Sequence, residues 1–118
     1  KRKIKMLTNG KESREFLYAT DCSEGLFTIM KKFNFFVKQR KELHLTTSKR
    51  TKIIDIAKKI KKILSRRGFS IKIFPSKEKD NLQKNVNNKS NKFLLKFWRP
   101  KYSIENGIEE IIQYYFKK

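Results

Sequence analysis

Arg14 is the side chain best placed by its surroundings to do chemistry. It stands in Asn9-Gly10-Lys11-Glu12-Ser13-Arg14-Glu15-Phe16-Leu17-Tyr18. Asn-Gly is the strongest short hairpin signal, because both central turn residues take positive φ. Phe16, Leu17 and Tyr18 have the aromatic and apolar bias of a strand. A planar guanidinium just past such a turn can grip a phosphate through two hydrogen bonds. The other reactive side chains are solitary. His44 is the only histidine. It has no carboxylate or metal-ligand partner at a recognisable spacing, so it reads as structural. Cys22 is the only cysteine. Without a nearby histidine it reads as a small buried hydrophobe rather than a nucleophile. It excludes an internal disulfide and fits a reducing compartment.

The elements that must position Arg14 follow from periodicity. Ile4, Met6 and Leu7, with Lys3 and Lys5 opposite, predict a first strand, and the Asn-Gly hairpin leads to a second. Asp21 then caps a helix over 21–33, with Glu24 completing a capping box. Cys22, Leu26, Ile29, Met30 and Phe33 form its apolar face. Residues 34–41 read as a connector. Alternation predicts a third strand over 42–46, with Leu43 and Leu45 on one side and His44 on the other. Thr51 caps a helix running to Leu64, whose isoleucine-rich stripe is backed by Lys52, Lys58, Lys59, Lys61 and Lys62. Gly68 ends it. Phe69 to Phe74 alternates as a fourth strand. Residues 75–90 lack periodicity. A short helix over 91–97 and a last helix capped by Ser103 complete the chain, with Trp98 as a core anchor. In the last helix Ile104, Ile108, Ile111, Ile112 and Tyr115 bury one face.

The length, 118 residues, is that of one small domain. Lysine and arginine total 31 against 11 acids, a formal net charge of +20. On charge alone this is a nucleic-acid binder. The distribution argues instead for solvation, since lysines lie on the polar face of every predicted element. Lysine, asparagine, isoleucine and phenylalanine are abundant, the mix an AT-rich genome favours. No apolar run approaches the roughly 20 residues that span a bilayer, and the start has no signal-peptide pattern. The expectation is a cytoplasmic protein. Lys1 in place of an initial methionine leads us to expect a fragment or processed product.

Three blocks resemble the substrate-binding C-terminal region of NAD-dependent nucleotide-sugar epimerases and dehydratases, the extended short-chain dehydrogenase/reductases. The stretch from Thr8 to Gly25 is similar to Gly-x-Gly-x-x-x-Arg-[Asp/Glu]-Phe-[Ile/Leu]-Tyr-Val-x-Asp-x-[Ala/Ser]-x-[Gly/Ala]. Thr8 replaces the first glycine and Ala19 the valine. Residues 42–64 are similar to the family's Asn-[Leu/Val]-Gly-[Ser/Thr]-Gly strand–helix pair, with Asp55, Ile56 and Ala57 at its Glu-Leu-Ala. There His44 replaces the asparagine, while Thr46 and Ser48 replace two glycines. Residues 97–108 are similar to Gly-Trp-x-Pro-x-[Tyr/Val]-[Ser/Thr]-[Leu/Ile]-Glu-Glu-Gly-[Ile/Leu], with Phe97 at the glycine.

The resemblance implies a small α/β (α+β) domain, a short mixed sheet or hairpins flanked by about four helices. It assigns Arg14 to a phosphate of a nucleotide sugar. It places Lys77 where the family has a second basic residue on the pyrophosphate, followed by Asp80. A lysine there supplies charge without bidentate geometry. Lys84 is a reserve at the same mouth. Lys5, Met6 and Leu7 lie on the strand that runs beside the nucleotide base. NAD or NADP belongs, by the same resemblance, on a Rossmann lobe. This chain has four glycines, at 10, 25, 68 and 107, and no G-x-G-x-x-G, so it is expected to carry no cofactor or metal of its own. Tyr114 and Lys118 have the family's catalytic Tyr-x-x-x-Lys spacing. They fall in the wrong block, so that match is chance. Residues 1–118 are therefore expected to be one substrate-binding lobe, inactive alone, holding a UDP-, GDP- or dTDP-linked sugar. The resemblance admits a homodimeric parent enzyme. One alternative is a basic nucleic-acid-binding module whose aromatics stack bases. Most aromatics fall at core-facing positions, which leaves nonspecific charge binding. The other alternative is a diverged, non-catalytic remnant.

Overall fold

The computed structural model describes residues 2–80 and 89–117. These residues form a small α/β fold with four α-helices and four short strands. The strands are β1 (Lys3–Lys5), β2 (Ser13–Glu15), β3 (Arg50–Lys52) and β4 (Lys72–Phe74). The helices are α1 (Ala19–Lys31), α2 (Phe33–Gln39), α3 (Ile53–Arg66) and α4 (Ile104–Phe116). Contacts gather into two compact units. The first comprises the described residues of 1–14, 50–87 and 108–118, and the second those of 15–49 and 88–107. Among the described residues no helix is long and apolar enough to cross a membrane.

The strands pair across long sequence distances. In the first unit β1 runs parallel to β4, with Ile4 opposite Ile73 and Lys5 opposite Phe74. β2 pairs with β3. The amides of Ile53 and Ile54 donate to the carbonyls of Glu12 and Gly10, so the two segments run in opposite directions. The expected Asn-Gly hairpin between β1 and β2 is therefore absent: each strand takes a distant partner instead of its neighbour.

α3 follows its sequence pattern closely. Ala57 and Ile63 are buried on its apolar stripe. It ends in a Schellman arrangement, with Gly68 at φ +84°. The amide of Gly68 donates to Ser65, and that of Phe69 to Leu64. This satisfies two carbonyls the helix would leave orphaned. Its start differs from expectation. Thr51 lies in β3, Lys52 occupies the N-cap position, and no side chain caps the helix. On the same unit Phe69 stacks on Phe116 at 5.1 Å, and the Arg2 guanidinium lies over the Phe69 ring at 4.0 Å.

The core of the second unit is Phe36, Leu94 and Trp98, with Leu17, Ile29, Leu45 and Phe97 packed against it. Phe36 belongs to α2, so residues 33–39 are a helix and not the expected connector. Gly25 of α1 lets the indole approach. A Cβ there would meet Leu45 Cδ2 at 2.5 Å and Trp98 Cε2 at 3.0 Å. Trp98 is the buried anchor the sequence implied. Of the apolar face expected of α1, only part meets the core, through Ile29. Leu26, Met30 and Phe33 are exposed, while Asp21 and Gly25 are buried. Residues 42–46 take no strand assignment, and the 91–97 segment reduces to a 3-10 turn over Leu94–Lys96. α4 keeps its Ser103 cap, whose hydroxyl accepts the Asn106 amide at 3.1 Å. Its Ile111 and Tyr115 are exposed, contrary to the expected burial.

Asp21 corrects the sequence reading most sharply. It is 1% exposed and does not cap α1. Its two carboxylate oxygens accept the backbone N–H groups of Lys101 and Tyr102, at 3.0 and 2.9 Å. A buried carboxylate is tolerable when such donors replace water. Its place in the first turn of α1 adds the favourable end of the helix dipole. The carboxylate thus holds the segment that follows Trp98 and Pro100.

Two changes test this core. Asp21→Asn puts an amide N–H₂ opposite a backbone donor and costs about 1–3 kcal/mol. In a urea titration the midpoint falls while the slope is unchanged. Gly25→Ala overpacks the Leu45–Trp98 contact at a similar cost. A midpoint equal to that of the parent chain in either variant would contradict the packing described.

Candidate functional site

The site grows from the loop between β1 and β2. After β4 the chain continues alongside this loop in the same direction. Met6 donates its amide to Phe74, Ser76 to Thr8, and Asn9 to Glu78, at 2.9, 3.1 and 2.8 Å. Within the loop the Asn9 side chain accepts the Lys11 amide, and Thr8 Oγ1 accepts that of Gly10. Gly10 sits at φ +71°, and a Cβ on it would fall 2.8 Å from the backbone nitrogen of Ile54. Only glycine combines that conformation with that approach. The Asn-Gly pair therefore makes a tight turn that lays the loop on the start of α3.

This turn delivers Arg14 to the segment after β4. Its Nη2 donates to Asp80 Oδ2 at 2.6 Å, and its Nη1 to the Ser13 carbonyl at 3.0 Å. The two side chains are 26% and 19% exposed. The sequence reading left the guanidinium free for phosphate; in the structure one edge is committed to Asp80. A second guanidinium joins it. Arg50 Nη2 donates to the same Ser13 carbonyl at 2.8 Å, and its Nε to Ser13 Oγ at 3.2 Å. Sequence reasoning missed Arg50, because it stands in a polar run whose pairing with Ser13 is set 37 residues away. Beside Arg50 lies an open cleft of about 660 Å³, lined by Ser13, Arg50, Thr51, Lys52, Asp55, Lys58 and Lys59.

The remaining expected residues divide. Lys77 is exposed on the 75–80 segment, which the bonds of Ser76 and Glu78 pin beside Thr8 and Asn9. Lys5 is an exposed strand residue opposite Phe74. Met6 is half-buried, with its methyl against Gly10. Leu7 is 87% exposed and accessible to a ligand. Lys84 and Lys118 lie outside the described residues.

The lone reactive groups have structural surroundings. His44 Nδ1 accepts the Asn91 amide at 2.9 Å, and its Nε2 lies 3.1 Å from Glu42 Oε2. An accepting Nδ1 places the ring proton on Nε2, facing Glu42. The histidine thus has a carboxylate partner that its sequence neighbourhood did not mark. Nearby, Glu15 accepts the hydroxyls of Thr46 and Ser90, each at 2.8 Å. Ser48 takes φ +57°, a left-handed conformation uncommon for a residue other than glycine, and Thr46 Oγ1 accepts its amide. Among the described residues no group of three His, Cys, Asp or Glu is placed to hold a metal ion. The four glycines also do not fit a dinucleotide. Gly25 and Gly107 lie inside helices, Gly68 follows one, and Gly10 opens a loop into a strand. A pyrophosphate site needs a glycine-rich turn that opens a helix.

Gly10→Ala tests the loop. Strain at positive φ and contact with Ile54 cost about 1–2 kcal/mol in stability. In hydrogen exchange the Asn9 and Ile54 amides lose protection together. Protection that survives at both would show that the glycine does not hold the loop. No protein-family model matches this chain, and no curated protein matches it.

Proposed function

We propose that the chain is the substrate-holding lobe of a nucleotide-sugar epimerase or dehydratase, and that it binds the diphosphate through Arg14. The observation that carries this reading is the Arg14–Asp80 pair. Residues 66 positions apart meet at 2.6 Å, on a loop locked by main-chain bonds. The resemblance marks Arg14 for a phosphate, and Asp80 as the aspartate that follows the second basic position, Lys77. Arg14 keeps donors beyond those bound to Asp80 and Ser13, since a guanidinium has five. Lys77 adds a compact charge from the same segment, and Leu7 offers an apolar surface to the base. Asp80 aims the guanidinium and also repels the incoming anion. Binding a remote diphosphate orients the sugar carbon for chemistry performed elsewhere. Hydride transfer needs NAD or NADP, and the residues here do not fit it; no step of that kind belongs to this chain. A single cysteine, Cys22, fits a reducing, cytoplasmic setting.

Calorimetric titration with UDP-glucose, GDP-mannose and dTDP-glucose tests the proposal. One of the three binds, Arg14→Ala weakens it by about tenfold, or 1.4 kcal/mol, and Arg14→Lys restores only part. Asp80→Asn keeps a hydrogen-bond acceptor but removes a negative charge, and binding tightens several-fold. Addition of NAD produces no turnover. Failure of all three sugars to bind near 1 mM, about 4 kcal/mol of affinity, or indifference to Arg14→Ala, would leave only a remnant that folds without this ligand.

A further inference from the structure

α3 turns its apolar stripe into the first unit and leaves Lys52, at its N-cap, and Lys58, Lys61, Lys62 and Arg66 exposed. Its 14 residues extend about 21 Å at 1.5 Å per residue. Lys58, Lys62 and Arg66 recur every fourth residue, about 6 Å apart along one side, and Arg66 at the end of the line lies 3.8 Å from Glu109 Oε1. At the start of the helix the cleft brings Arg50, Lys52, Lys58 and Lys59 together, with Asp55 as the one acid among its lining. Asp55 is also the only acid within α3. Positive charge thus runs along this side of the helix, in addition to the lysines spread over other elements.

We propose that this face of α3, with Arg50 and Lys52 at its head, binds the phosphate backbone of nucleic acid without regard to sequence. The ligand class follows from three features. The charge continues along the helix beyond the cleft, so it suits a linear polyanion better than a single phosphate. One DNA strand offers a phosphate about every 3.4 Å of axis, and cations 6 Å apart can each reach one. No aromatic residue lines the cleft, so bases have no platform for stacking and the backbone carries the contact. A lipid surface fits less well. An interfacial helix buries its apolar face in lipid, whereas that face of α3 holds the buried Ala57 and Ile63. This inference is independent of the sugar-nucleotide reading.

Fluorescence anisotropy with labelled single-stranded and duplex DNA of mixed sequence tests it. The double variant Lys58→Glu/Lys62→Glu is compared with Lys38→Glu/Lys92→Glu, which makes the same charge change on exposed lysines of the second unit. The α3 variant loses at least about tenfold in affinity, and its duplex salt slope falls by about 0.9 for each contact removed. The control loses less than about threefold, as expected for a change in overall charge alone. Thermal melts by circular dichroism check folding, and Lys58→Gln/Lys62→Gln carries the same comparison if the glutamates prevent it. Equal losses in the two variants, or no binding at about 50 mM salt, overturn the proposal. So does binding to phosphatidylserine vesicles without binding to DNA.

Discussion

One residue with no side chain governs the first unit. Gly10 combines a left-handed backbone with a close approach to Ile54 that a Cβ would obstruct. Its carbonyl accepts the Ile54 amide, and the neighbouring Asn9 amide reaches Glu78. With the turn fixed this way, β1 meets β4 and β2 meets β3. Arg14 is then carried to Asp80, and Ser13 to Arg50. The guanidinium's position is thus a consequence of backbone geometry several residues upstream.

The second unit depends on a different device. Asp21 places a carboxylate where almost no water reaches, and two amides from the far end of the unit satisfy it. Beside it Tyr18 and Tyr102 lie 4.3 Å apart, and Gly107 leaves room for the Tyr18 ring. Trp98 contributes volume to the core, yet its buried indole N–H finds no acceptor among the described residues. An unpaired buried donor costs roughly 1–3 kcal/mol, so the tight carboxylate contacts matter more there than their number implies.

What could be read from the sequence followed the range of the interaction. α3 was legible because its stripe repeats every 3.6 residues, and Gly68 stopped it by local chemistry. The Ser103 cap was legible for the same reason. Strand pairing was not. An Asn-Gly signal reports a turn, and the same turn serves a hairpin or a loop folded back on a helix. Asp21 has the spacing of a cap, but its partners stand 80 residues on. Nothing local in the sequence marks the Arg14–Asp80 meeting or the place of Arg50. α1 misled because most of its regular apolar side is exposed, while its buried side includes a charge and a glycine.

The bonds that hold the Arg14 loop are mostly drawn between peptide groups: Met6 to Phe74, Ser76 to Thr8, Asn9 to Glu78, Ile54 to Gly10. Peptide groups are common to every residue but proline, which lacks the donor. The loop can therefore accept many spellings at Leu7 or Lys11 and keep its shape. In such a region form can outlast letters, and kinship is better sought in the path of the chain than in its alphabet.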